Sequence, residues 1–385
     1  MSTAPIYLDY NATTPVDPAV LDAMLPYLRG EFGNPSSAHG LGGRAHDAVE
    51  AARAEVAALI GAASDEIVFT GGGTEASNIA IRGAVRIDDA RGNVVTSTIE
   101  HPATEACCAF LEGEGRKVTR VPAKAEGLID HARVAAAIGA KTALVTIIHA
   151  QNEIGTIQPI AEIAAAARRH GALVHVDAAQ SVGKIAVNVN ELGADLLSIA
   201  GHKLYAPKGA GVLYIRHGIA LPPLLLGASQ ERGRRPGTEN VPYIVALGEA
   251  CRVAGTMLER ESQRLSGLSG DLFAALKREI PEIVLVGDPM RRLPNTLNVL
   301  FPCASGRKVL EKCRRVMAST GSACHADSEE PSAILTALGI ARDNALGAVR
   351  LSLGRGTTKE DVADAAADLA AAWRSVLAAP AVAAE

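Results

Sequence analysis

From about residue 50 to residue 215 the chain alternates two periodicities. The segments "EIVFT", "NVVTST", "TALVTII", "ALVHVDA" and "DLLSIA" are short and aliphatic or β-branched, and "GVLYIR" follows them. Helix-forming stretches such as "AHDAVEAARAEVAALIG" and "IAEIAAAARRHG" accompany them. A chain that repeats strand and helix in this way has few solutions. The pattern predicts an α/β fold whose mainly parallel sheet is covered by helices on both faces. Residues near 247–279 read as one long helix with glycines inside it. Beyond it the pattern changes to "IVLVG", "TLNVLF" and "AVRLSLGR", which predicts a smaller α+β domain. The expected boundaries are 16–255 for the large domain and 256–385 for the small one, with segment 1–15 packing on the latter.

Such a sheet needs a core, and a hydrophobic content of 48% supplies one. Aromatic residues are only 3%, so the core must rest on Ala, Val, Leu and Ile. A net charge of −4 argues against broad attraction to nucleic acid or an acidic membrane. No uninterrupted apolar run reaches spanning length. The start, "MSTAPIYLDYN", lacks a basic region followed by an apolar stretch, and the expected location is the cytoplasm.

In open parallel sheets, ligands bind beyond the carboxyl ends of the strands. Five predicted strand ends carry polar residues: Gly73 and Thr74 in "GGGTEAS", His101 in "IEHP", Asn152 in "QNEIG", Asp177 with Gln180 in "DAAQ", and His202 with Lys203 in "GHK". The glycine-rich turn precedes a helix, whose free amides and partial positive charge suit a phosphate. Thr74 could cap that helix and donate a hydroxyl hydrogen bond. An ordinary capped helix after a flexible turn has the same composition. Asp177 ends a strand expected to be buried, so it needs a cationic partner. A plain Asp177–Lys203 salt bridge would serve. A second reading gives each a different atom of one cofactor. Pyridoxal phosphate requires a lysine for covalent attachment, a carboxylate for its ring nitrogen and a phosphate cup. His101 could stack on its ring.

Six cysteines in 385 residues, with no CxxC pair, suggest neither a disulfide scaffold nor a metal site. Cys107, Cys108, Cys251, Cys303 and Cys313 lack a reactive signature. Cys324 differs. It lies in "STGSACHADSEEPS", a polar stretch whose composition predicts an exposed loop.

Taken together, these motifs resemble the pyridoxal-phosphate-dependent cysteine desulfurases and selenocysteine lyases of the class V aminotransferase group, of fold type I. The resemblance runs from "YLDYNATTP" through "GNPSS", "GGGTEASN", "IEHP", "QNEIGTIQP", "HVDAAQSVGK", "GHKLYAPKGAGVLYIR", "RRPGTEN" and "RLPNTLN" to "GSAC" and "RLSLGRGTT". It implies that Lys203 anchors the cofactor and takes the Cα proton. It implies that Asp177 meets the ring nitrogen, Gln180 the phenolic oxygen and His101 the ring face. Gly73, Thr74 and His202 would hold the phosphate, joined by Thr238 from a neighbouring subunit in a homodimer with shared active sites. Asn11, Asn152 and Arg350 would bind the substrate, Arg350 by gripping its carboxylate. Cys324 would accept sulfur from L-cysteine as a persulfide and pass it to an acceptor protein, leaving alanine. A selenocysteine lyase acting on L-selenocysteine, or a catalytically silent scaffold for sulfur transfer, are the rival readings. Iron–sulfur cluster assembly, tRNA thiolation, cofactor synthesis and selenium recycling would all use the same site. Two positions depart from the pattern: Ala200 stands where many desulfurases have a phosphate-binding serine, and Pro102 where animal-type selenocysteine lyases tend to carry an acidic residue.

Overall fold

The computed structural model describes residues 4–88, 90–321 and 330–378. A short strand β1 (Ile6–Tyr7) and helices α1 (Pro18–Arg29) and α2 (Gly40–Ile60) come first. A seven-stranded sheet follows, built from β2 (Ile67–Thr70), β3 (Asn93–Ser97), β4 (Val118–Val121), β5 (Thr142–Ile148), β6 (Leu173–Asp177), β7 (Leu196–Ala200) and β8 (Gly211–Ile215). Their spatial order is β2-β8-β7-β6-β5-β3-β4. Only β8 runs against its neighbours, so the other six point the same way. Helices α3 (Gly73–Ala84), α4 (Pro102–Gly113), α5 (His131–Ala137), α6 (Ile160–Arg169) and α7 (Val189–Leu192) fill the crossovers.

Alternation along each strand sends side chains to two cores. Ile67, Phe69, Val95, Val145, Ile147, Leu197, Ile199, Val212 and Tyr214 pack against α1, α2 and α6. The residues between them, Val68, Val94, Leu144, Leu196 and Leu213, pack against α3 and α4. Helices on both faces are the consequence. Most of these side chains are aliphatic, as the low aromatic content requires.

Helix α8 (Val241–Glu279) is 39 residues long. Its glycines do not break it. It is long and apolar enough to cross a membrane by length and composition, which the sequence reading did not anticipate. Half of that apolar stretch is buried inside the protein: Val241, Ile244, Leu247 and Cys251 face the large core, and Leu265, Leu268, Leu272 and Leu276 face a third core. That third core is built on the antiparallel strands β9 (Val284–Leu285), β10 (Thr296–Leu300) and β12 (Ala348–Ser352), with α9 (Gly306–Lys312) and the C-terminal helix Lys359–Ala378. Strand β1 pairs in parallel with β11 (Val316–Met317), and Asp9 bridges to Ser352. The N-terminal segment therefore crosses from this unit to the edge of the large sheet.

Candidate active site

The carboxyl ends of β2, β3, β5, β6 and β7 lie on one edge, as their shared direction demands. Strand β2 leads into Gly71–Gly73. The turn is tight: Gly72 has φ of 147°, and a Cβ on Gly211 of β8 would lie 2.5 Å from the Gly72 carbonyl carbon. Only glycines let these backbones meet. Helix α3 begins at Gly73, with Gly72 as its N-cap and no side chain capping it. Thr74 is thus the second helical residue, not the cap expected from sequence. Three glycines in a row leave the start open to sequence reasoning, and the N-cap falls on the middle one, Gly72. Its first amides are left open to an anion. A Cβ on Gly73 would sit 3.1 Å from Ala200 Cβ, which puts Ala200 directly beneath that helix end.

Strand β6 ends at Asp177, which is buried. Its Oδ1 accepts from Ala179 N at 3.0 Å, leaving Oδ2 without a protein donor among the described residues. Strand β7 ends in the turn Gly201–Lys203. Lys203 Nζ does not pair with Asp177; it donates to the carbonyl oxygens of Asn11 at 2.5 Å and Ala12 at 2.7 Å. Dehydration and the Arg350 charge lower Lys203 to about 8, against the opposing pull of Asp9 and Asp177. His202 bonds Thr13 Oγ1 through Nδ1 at 3.2 Å and is lowered to about 4 by dehydration and the neighbouring lysines. His101 caps α4, its Nδ1 accepting from Ala103 N at 3.1 Å. Its ring is on the solvent side of the site, yet the surrounding protein dehydrates it enough to lower its pKa.

Asn11 is the hub. Its carbonyl also accepts from Gln180 Nε2 at 3.0 Å. Its Nδ2 donates to Thr296 Oγ1 at 2.8 Å and to the Asn152 carbonyl at 3.2 Å, and its Oδ1 accepts from Lys184 and Asn295. The Asn11 side chain is therefore filled by protein partners. Arg350, from β12, donates through Nη2 to Asp9 Oδ1 at 2.7 Å and through Nη1 to the Asn152 carbonyl at 3.2 Å. Its Nε is buried without a partner among the described residues. A substrate carboxylate meeting this fork encounters Asp9 on one prong. Thr238 is exposed, on the segment that Arg235 ties to Glu75 of α3 at 2.7 Å. Cys324 lies outside the described residues.

Three buried groups and the partly buried Asp9, all near the site, were not singled out from sequence, although each lies inside a quoted motif. Lys184 Nζ donates to Gln180 Oε1 at 2.6 Å, and dehydration with the nearby Lys203 and Arg350 charges holds it well below the usual lysine range. That bond fixes the Gln180 amide with its nitrogen toward Asn11. Glu100 is bonded by Ser97 Oγ, and burial, with the Asp177 charge adding to it, holds its carboxyl well above the usual range. Glu153 and Asp9 complete the set. The thiols of Cys107, Cys108 and Cys251 are buried and pushed up to about 11, 12 and 12, which makes them poor nucleophiles. No group of three or more metal-ligating side chains occurs among the described residues.

An uncapped helix end over a glycine cradle, a buried carboxylate with a free oxygen and a lysine held on carbonyls fit pyridoxal phosphate. The family model for class-V aminotransferases matches residues 6–364. The chain belongs to that family. It is a pyridoxal-phosphate-dependent fold of type I. It is 44% identical over 360 residues to "Cysteine desulfurase IscS" of Dictyoglomus turgidum, covering 93% of this chain and 91% of the relative. A solved NifS-like protein superposes with a TM-score of 0.90 at 34% identity, over 95% of this chain and 98% of the other. A structure described as SspA in complex with cysteine gives 0.80 at 39% identity, over 90% and 98%.

Proposed function

We propose that this class-V chain is a cysteine desulfurase that converts L-cysteine to L-alanine and carries the sulfur on Cys324. The observation that supports it most directly is Lys203: an amine lowered to about 8, on carbonyls rather than on a carboxylate, beside the Asp177 strand end. Such an amine is available both to attach to a carbonyl carbon and to hold a proton.

Pyridoxal phosphate bound here supplies a conjugated sink for electrons from Cα. Lys203 would anchor it and would hold the Cα proton. Asp177 Oδ2 would meet its ring nitrogen, Gln180 Nε2 its phenolic oxygen and His101 its ring face. The α3 amides, Thr74 and His202 would receive the phosphate, and Thr238 would reach the phosphate of a second subunit in a homodimer with shared sites. Arg350 and the Asn152 turn hold the substrate carboxylate, with Asn11 as the scaffold that sets both. The Cys324 thiolate attacks the substrate sulfur. The Cβ–S bond breaks, a sulfur–sulfur bond forms, and the released pair ends as a Cβ–H bond of alanine. The persulfide then passes to an acceptor.

Alanine release from cysteine and from selenocysteine, in wild type and in Cys324→Ala, tests this. Cysteine turnover should fall to background in the variant while visible absorbance of bound cofactor persists. Normal cysteine turnover without Cys324 would overturn the reading. Selenocysteine turnover far above that of cysteine would replace it with a lyase.

A further inference from the structure

Glu153 directly follows Asn152 and has no part in the chemistry above. It is only 5% exposed and makes no ion pair among the described residues. Its Oε2 accepts from Ser332 Oγ at 2.6 Å, and Ser332 Oγ in turn accepts from Ile334 N at 3.1 Å, capping the helix Ala333–Ala337. The Gly321 backbone packs close to the same oxygen. A Cβ built on Gly321 would lie 2.5 Å from Glu153 Oε2, and its φ of 107° is a glycine conformation. One carboxylate oxygen thus touches the chain on both sides of Cys324. The backbone around Glu153 is fixed as well. Its amide donates to Gln151 Oε1 at 2.6 Å. Ser319, just before Gly321, accepts from Arg350 N at 2.7 Å.

Burying a carboxylate is costly unless its bonds achieve something. If only packing mattered, an apolar residue would fill this place. Burial raises the Glu153 pKa, while the Ser332 bond and the Arg350 charge oppose that.

We propose that Glu153 is a positioning residue that holds Gly321 and Ser332, the two stems flanking Cys324, against the Asn152–Arg350 end of the site. The inference rests on Cys324 as the sulfur acceptor. It assigns to one side chain the task of keeping the nucleophile's stems in register with the substrate carboxylate grip.

The holoenzyme variants Glu153→Ala, Ser332→Ala and Ser332→Thr test it, with two readouts. Cysteine binding is read from the visible spectrum of the bound cofactor, and single-turnover persulfide on the Cys324 peptide is read by mass. Cysteine affinity should stay at the wild-type level in all three. The persulfide rate should fall by about a hundredfold in Glu153→Ala, the scale of an ångström's misplacement of a reacting group. Ser332→Ala should fall in the same direction, Ser332→Thr should recover, and the double variant should lose no more than Glu153→Ala alone. A wild-type persulfide rate in Glu153→Ala, or cysteine affinity lost in step with it, overturns the inference. If Glu153→Ala does not accumulate, the Ser332 pair decides by the same criteria. Full turnover in Cys324→Ala would instead remove the reading on which the inference stands, so the two failures are distinct.

Discussion

Lys203 donates to two backbone carbonyls and to no carboxylate, and that choice of partner governs its titration. In the cofactor-free protein it sits near 8, against an ordinary 10.5. Between those values the unfolded chain binds more protons, so stability should rise with pH across that window. Below it the penalty is present in full, at most about 3 to 4 kcal/mol. We predict that the cofactor-free wild type gains on Lys203→Met as pH rises from about 8 toward 10.5, measured by denaturant titration. A constant difference would contradict it. Lys203→Met should also lose all turnover. Residues such as Lys203, Asp177 and Gln180 were legible because each follows a strand end in the sequence. Lys184 and Glu153 were not, because their partners are remote: Asn11 lies 173 positions from Lys184, and Ser332 lies 179 from Glu153. A lysine in a "GK" pair carries no sign of burial until the fold brings Asn11 to it.

Helix α3 reaches the site only because β8 and the glycine turn nearly touch. Gly211→Ala would set a methyl against the Gly72 backbone, which cannot yield as a side chain end would. Overpacking of this kind costs about 1–3 kcal/mol, and here it should push the α3 amides away from the phosphate. The expected outcome is weaker cofactor binding, measured by fluorescence titration of the stripped protein. Ala200→Ser should act in the opposite sense. A hydroxyl beneath the α3 end adds one donor, worth about 1 kcal/mol or roughly fivefold in affinity. Unchanged affinity in both variants would remove the phosphate from this helix end. At this scale the sequence was most informative where strands are long and two-faced. "TALVTII" is strand β5 residue for residue. Strand β4, "VTRV", escaped because an edge strand with one buried residue has little apolar signal. Strands β1 and β11 have two residues each, too short for any period to register.

Across the molecule, α8 carries one continuous backbone through two cores, which is why a boundary near residue 256 falls inside a helix. Thr238 lies just before α8 and is exposed on its own chain, which leaves it accessible to the second subunit's cofactor that the proposed function assigns to it. Mixing subunits tests that. Lys203→Ala homodimers should be inactive, and Thr238→Ala homodimers should hold cofactor weakly. In the mixed dimer, the site with an intact Lys203 receives an intact Thr238 from its neighbour. Mixing should therefore restore one tightly binding, active site per dimer, seen as recovered turnover at limiting cofactor. No recovery would mean that Thr238 serves its own chain. The pairing of the N-terminal segment has another consequence. Residues 6 to 11 leave the ribosome well before their partners Thr296, Val316 and Ser352, which follow about 300 residues later. Contacts so distant along the chain close late. Until synthesis has passed β12, Asn11 has no Thr296–Ser352 frame to hold it, and the carbonyls that carry Lys203 are not in position. A chain stopped short of β12 should therefore capture the cofactor poorly, so that residues 6 to 11 act as the check that β10, β11 and β12 have arrived.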